Sequence, residues 1–267
     1  MPRPTVLSIA GSDPSGGAGL LADAATFRAF GCHAEGVVTA LTVQDSHAVH
    51  AVTPIDARHV AAQLGALLAD APPAAAKTGM LPTAAIVDAV ASAWRTRAAI
   101  PLVVDPVLAA SSGARVADAG AVAALLELLL PLAALVTPNA GEASELTGLP
   151  VRDTLEAATA ARALLDRGAR AVLVKGGHLA GDEVTDVLVL AGRADAVAFT
   201  RTRVRHARRV RGTGCALSAA IAARLALGDG LADAVCAAGD WVHEGIAGAY
   251  ESGVGGLVLS RPARRDA

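Results

Sequence analysis

Hydrophobic positions in this chain cluster into short runs that alternate with longer, periodic segments. Runs of strand length recur at "TVLSIA" (5–10), "EGVVTAL" (35–41), "PLVVDP" (101–106), "ALVTPN" (134–139), "AVLVKGG" (171–177) and "VTDVLVL" (184–190). Between most of them lie segments whose apolar residues return every 3.6 positions, which predicts helices over Leu20–Phe30, Asp56–Ala69, Thr83–Ala93, Asp118–Leu130 and Leu155–Arg167. Strands alternating with helices predict an α/β fold, with a mostly parallel central sheet covered by helices on both faces. No internal repeat, linker-like stretch or composition break divides the chain, so one domain is expected, with the tail "RPARRDA" (261–267) frayed. The most apolar window, Ala119 to Thr137, is interrupted by Glu127 and Pro131 and reads as a buried helix followed by a buried strand, not as a membrane span.

Composition narrows the function classes. Of the 267 residues 53% are hydrophobic but only 2% aromatic, so packing relies on small side chains. A net charge of −2 argues against a protein built to hold nucleic acid or an anionic membrane. Three cysteines, Cys32, Cys215 and Cys236, form no CxxC pair, which suits a reducing cytoplasm better than a disulfide scaffold or zinc site. The start "MPRPTVLSIAGSD" reads as a strand and its loop rather than a signal peptide.

In a parallel sheet, ligands bind beyond the carboxyl ends of the strands. Polar residues gather there: Ser12 and Asp13, Gln44 and Asp45, Lys77 and Thr78, Asp105, Asn139 with Glu142, and Lys175 with His178. "AGSDPSGGAG" (10–19) is a glycine loop opening a helix, but it is neither a P-loop nor a dinucleotide fingerprint. Its glycines are equally compatible with a plain tight turn, and Asp23, one turn on, is placed to face a ligand in the loop's mouth. Asp105 in "VVDP" and Glu142 in "NAGE" are a carboxylate pair of the kind magnesium shares with water and phosphate, although Glu142 also suits a helix start. Lys175 in "VKGGH" is a point charge for phosphate. "VRGTGCALSAA" (210–220) is a glycine turn entering a helix, whose free amides favour an anion.

The basic run "RTRVRHARRVRGTGC" (201–215) has no interleaved aromatic residue, so it reads as a solvated strand leading into that turn. His47 and His50 in "HAVHAV" match no metal spacing and are placed on a loop or edge strand; His59 and His243 are structural residues on helices.

Taken in order, "AGSDPSGGAG", "TALTVQ" (39–44), "KTGML" (77–81), "VVDPV" (103–107), "TPNAGE" (137–142), "VLVKGGH" (172–178) and "GTGCALSAA" (212–220) resemble the hydroxymethylpyrimidine/phosphomethylpyrimidine kinases of thiamine biosynthesis, within the ribokinase-like superfamily. The likeness runs from about Thr5 to about Gly255. It implies a ribokinase-like three-layer sandwich in a single domain. It also implies a pyrimidine pocket at Gly11, Asp23, Gln44, Met80 and Val107, with Asp105, Asn139 and Glu142 around magnesium and phosphates and Lys175 on the ATP phosphates. The amides of Gly212, Thr213, Gly214 and Cys215 would hold the transferring phosphoryl group. Where the wider superfamily has an aspartate base, this chain and the family it resembles have a cysteine. At a helix start a cysteine is expected to ionise easily and to take the substrate's hydroxyl proton, the rival reading being a small packed thiol. Arg209-Val210-Arg211 departs from the Asn-Thr-His run common in the family and bears on nucleotide grip.

The expected activity is transfer of phosphate from Mg-ATP to 4-amino-5-hydroxymethyl-2-methylpyrimidine and then to its monophosphate, by a cytoplasmic homodimer with no nucleic-acid or membrane partner. A pyridoxine or pyridoxal kinase of the same superfamily is the alternative, and a non-catalytic ligand sensor a more distant one.

Overall fold

A computed structural model describes residues 3–110, 113–179 and 181–264. The β-branched and leucine runs form strands β1 (Thr5–Ser12), β2 (His33–Gln44), β3 (Val49–Pro54), β4 (Ala75–Thr78), β5 (Leu102–Val104), β6 (Leu135–Val136), β7 (Ala171–Val174), β8 (Glu183–Leu190) and β9 (Val197–Thr202). They build one sheet in the order β3-β2-β1-β4-β5-β6-β7-β8-β9. From β2 to β7 neighbours run parallel; β3 at one edge, and β8 and β9 at the other, pair antiparallel. A smaller sheet, β10 (Val210–Arg211), β12 (Leu257–Val258) and β11 (Tyr250–Glu251), lies apart from it.

The helices are α1 (Gly19–Ala29), α2 (Ala57–Asp70), α3 (Ala84–Trp94), α4 (Ala119–Ala124), α5 (Ala140–Thr147), α6 (Thr154–Leu165), α7 (Thr213–Ala226) and α8 (Leu231–Ala247). Local chemistry sets many of their starts. The side chains of Asp56, Thr83, Asp118, Asn139 and Asp153 each accept a backbone N–H from the first turn that follows. The helix expected over Asp118–Leu130 is instead regular only to Ala124. It then widens over Leu125–Leu129 and tightens over Leu130–Leu132, because Pro131 offers no N–H to continue it.

Two cores flank the sheet. On one face Leu64, Ile86, Trp94 and Leu164 pack with Leu7 and Ile9; on the other Phe27, Ile221 and Trp241 pack with Val6 and Leu173. The result is the expected three-layer sandwich. Among the described residues no helix is long and apolar enough to cross a membrane. The first part of the tail departs from expectation, since residues 261–264 are bonded into the fold and 265–267 lie outside the described residues. Pro262 accepts the Trp241 indole N–H at 3.0 Å, and Arg264 N–H donates to the Ala29 carbonyl at 2.8 Å.

The chain places β2 on one side of β1 and β4 on the other, so the strand order reverses between β1 and β4. A register shift between Ala10 and Ser12 turns the end of β1 outward into the glycine loop. Helix α7 crosses β1, β4 and β5, bringing its N-terminus over this reversal.

Candidate active site

A cavity of about 1410 Å³ opens over the carboxyl ends of these strands. That exceeds the ordinary range for a single small ligand and has room for a nucleotide beside a second molecule. Gly11, Gln44, Met80, Val107, Asp105, Asn139, Glu142 and Lys175 all line it, as do Gly212, Thr213, Gly214 and Cys215.

Its centre is the start of α7. Gly212 precedes the helix with φ +73°, and a Cβ there would overlap the Gly17 carbonyl, so only glycine fits. No side chain caps this helix, leaving its first N–H groups open to an anion. Lys175 lies over the turn, its ammonium 3.2 Å from where a Cβ on Gly214 would be. Lys175 Nζ donates to Asp105 Oδ1 at 2.8 Å and lies 3.9 Å from Glu142 Oε2. Burial works against its charge, but Asp105 and Glu142 outweigh that and raise its pKa.

Asp105 is fixed on all sides, accepting also from Thr137 Oγ1 at 3.3 Å and Ser218 Oγ at 3.2 Å. Burial pushes its carboxyl up, yet Lys175 and Lys77 together hold it below the usual range. Glu142 behaves oppositely. Burial, with Asp105's charge added, pushes it up to about 7 against the pull of Lys175. Glu142 is also the helix-start acid that its position suggests: its Oε2 accepts the Asn139 N–H at 2.7 Å, and the Asn139 side chain accepts the Glu142 N–H at 3.0 Å. The helix-start reading of this residue is thus the one its hydrogen bonds show.

Around the glycine loop, Asp13 is the organiser. It accepts from the Ser15 N–H and hydroxyl and from the Ala18 N–H, and Gln44 Nε2 donates to its Oδ2 at 3.1 Å. Met80 Sδ lies against Gly11, only 3.0 Å from where a Cβ would be.

Two expectations need correction. Asp23 does not line the cavity. It is fully buried behind the loop, where its Oδ2 accepts from Ser8 Oγ at 2.6 Å and Lys77 Nζ at 2.8 Å. One helical turn past Gly19 carries its side chain back over β1 instead of into the loop's mouth. Cys215 does not ionise easily either. Burial pushes its thiol up to about 11; Lys77 pulls down, while Asp105 and Asp23 push up, so the helix start does not prevail.

Lys77 is the residue that motif reading underweighted. It has no exposed surface, yet it reaches the cavity floor and keeps its charge, because the carboxylates of Asp23 and Asp105 work against the effect of burial. A lone lysine within the apolar "AAAKTGM" was the available signal, since a buried lysine must be paired.

The basic run is solvated only in part: Arg205, Arg208 and Arg209 are exposed, but the other three arginines turn inward. Arg201 pairs with Asp186 and Asp240, Arg203 donates to the Gly177, Leu179 and Gly181 carbonyls, and Arg211 turns into the cavity. His243, expected to be structural, lines the cavity as well.

The phosphomethylpyrimidine kinase family pattern matches residues 13–259. A hydroxymethylpyrimidine/phosphomethylpyrimidine kinase of Rhizobium meliloti is 45% identical, over 93% of this chain and 92% of that protein. Among solved structures, a phosphomethylpyrimidine kinase from Clostridium difficile superposes with a TM-score of 0.79 at 34% identity, covering 91% of this chain and 100% of that one. A Staphylococcus aureus pyridoxal kinase in complex with AMP-PCP and pyridoxal gives 0.88 at 30% identity, covering 100% and 96%. With a match that runs through both glycine loops and nearly the whole sheet, the chain belongs to the phosphomethylpyrimidine kinase family.

Proposed function

We propose that the protein, working as one domain, transfers the γ-phosphoryl group of ATP to 4-amino-5-hydroxymethyl-2-methylpyrimidine and then to the resulting monophosphate, in thiamine biosynthesis. The observation that carries this reading is the uncapped turn Gly212–Cys215 with the Lys175 ammonium over it. Such a turn gathers a transferring phosphoryl group, and this chemistry asks mainly for positioning and charge neutralisation.

The acceptor ring is proposed to sit among Gly11, Gln44, Met80 and Val107, its polar edge on the Gln44 amide and its face on Met80. Asn139, Thr213 and Lys175 hold the ATP phosphates. Asp105 and Glu142 would hold magnesium: the two carboxylates face one another across a single ammonium, that of Lys175. Two carboxylates completed by water and phosphate are a donor set magnesium accepts. Bound there, the ion would neutralise charge on the β- and γ-phosphates.

Cys215 is proposed as the acceptor of the hydroxyl proton, acting through a thiolate that is a minority form at neutral pH. Lys77, the cation that pulls its pKa down, supports that form. A reducing cytoplasm suits the three free cysteines. A homodimer is proposed from the family resemblance and from Leu41 and Val43, large apolar side chains 53% and 61% exposed on β2. Light scattering tests it.

A pyridoxal kinase is the second reading, because the backbone superposes more closely on the pyridoxal kinase than on the phosphomethylpyrimidine kinase. A coupled ADP-release assay offering the pyrimidine, its monophosphate and pyridoxal separates the two. Turnover of pyridoxal alone overturns the reading preferred here.

A further inference from the structure

Arg211 is the residue immediately before Gly212, and its side chain enters the cavity with 13% of its surface exposed. Two glycines wall it in: a Cβ on Gly256 would be 3.1 Å from its Cδ, and one on Gly17 would be 3.7 Å from its Cζ. A largely buried guanidinium calls for close partners. Among the described residues its polar contacts are long, Nη2 to Asp13 Oδ2 at 3.5 Å and Nη1 to Ser15 Oγ at 3.5 Å.

Asp13 cannot serve it well, because its oxygens are already engaged. Oδ1 accepts the Ser15 N–H at 2.8 Å and the Ser15 hydroxyl at 2.7 Å, while Oδ2 accepts the Ala18 N–H at 2.9 Å and Gln44 Nε2 at 3.1 Å. The shared carboxylate also locates Arg211. Through Asp13 it is one step from Gln44 in the acceptor pocket, and through the backbone it is one residue from the anion turn. A phosphate carried on the acceptor's hydroxymethyl oxygen has to lie between those two places.

We infer that Arg211 binds the phosphate of the monophosphorylated acceptor, and so sets the protein's capacity for the second transfer. This rests on the function proposed above and deepens it. The guanidinium fork suits a phosphate, which would supply the close anionic partner that Asp13 does not. In the second transfer an oxygen of that phosphate attacks the γ-phosphorus of ATP. A new P–O bond forms, the bond from the γ-phosphorus to the β–γ bridging oxygen breaks, and ADP leaves with that electron pair. The attacking oxygen is already anionic, so no proton has to be removed. The first transfer needs the proton step and not Arg211; the second needs Arg211 and not the proton step.

The test compares kcat/KM for the alcohol and for its monophosphate, with ATP, in the wild type, Arg211→Gln and Arg211→Lys. In Arg211→Gln the monophosphate-to-alcohol ratio is expected to fall roughly tenfold or more, since a charge-assisted contact made only by the second acceptor is lost. Arg211→Lys keeps the charge but not the fork and is expected to fall about threefold, which also carries the test should the Gln variant not fold. A structural role would lower both substrates together, and an unchanged ratio in a folded variant overturns the inference. A wild type that phosphorylates the alcohol but not the monophosphate overturns it too, and leaves the first transfer standing. A wild type that uses neither overturns the proposed function itself.

Discussion

Lys77 donates a hydrogen bond of 2.8 Å to Asp23, and neither side chain has any exposed surface. The pair sits behind the glycine loop, with its cation reaching the cavity floor near Cys215. Removing one partner strands a buried charge, so Asp23→Ala is expected to cost about 3–5 kcal/mol of stability. Urea denaturation measures it, and a loss below about 1 kcal/mol, the scale of an exposed pair, would mean the two charges are not coupled in solution. The double variant Asp23→Leu/Lys77→Met is expected to regain much of the stability and little of the activity, because Cys215 then lacks its nearby cation.

Cys215→Ala is expected to slow the first phosphorylation roughly 10²–10⁴-fold, the usual effect of losing a positioned proton acceptor. The second phosphorylation, whose acceptor oxygen is already ionised, should fall far less. With the thiol pushed up to about 11, the thiolate fraction and the first-step rate should both rise with pH across the alkaline range. Alkylation at Cys215 should follow the same slope, with modified peptides mapped to separate it from exposed Cys236. Equal losses in both steps would reduce Cys215 to a packing residue.

Glu142→Gln separates the two roles of that residue. Glutamine keeps the hydrogen bond to the Asn139 N–H, so the capping of α5 survives. The wild-type carboxyl has its folded pKa raised from 4.5 to about 7. Between those values the folded state binds more protons than the unfolded one, so this group's contribution to stability falls as pH rises through that window. The variant should lose this slope in a pH series of melting temperatures, while needing more magnesium for half-maximal rate. Unfolding with an unchanged magnesium requirement would leave only the cap.

Gln44→Leu is expected to weaken use of the pyrimidine by about 1–3 kcal/mol in kcat/KM, because a polar substrate edge loses its partner. The KM for ATP should move little. Since Gln44 also braces Asp13, a large rise in the KM for ATP would mean that the glycine loop had collapsed instead.

Much of this molecule is legible from its amino acids because its chemistry stands at strand ends. Asp105 and Lys175 close runs of buried β-branched or leucine residues, so periodicity alone places them on one edge of the sheet. Asn139 and Glu142 are readable twice, as strand-end polar residues and as a capping pair. Asp23 misleads because local spacing fixes its turn of the helix but not which side of that turn meets β1. The helix start beside Cys215 argues for a lowered pKa, yet burial, with Asp105 and Asp23 nearby, outweighs the pull of Lys77. Helix α8 and the 254–256 loop carry no strand-end motif, so their share of the cavity wall is not legible in the sequence.

The tail has a consequence for how the site comes into being. Arg261 Nη2 donates to the Gly17 carbonyl, the same group that lies against Gly212, and the two partners are 244 residues apart. During synthesis the glycine loop is made well before its brace, which follows only after α7, α8 and β12. A ribosome-bound chain stopped short of Arg261 can therefore build the sheet without finishing the loop over it. Phosphate binding should switch on late and abruptly in a series of stalled chains of increasing length.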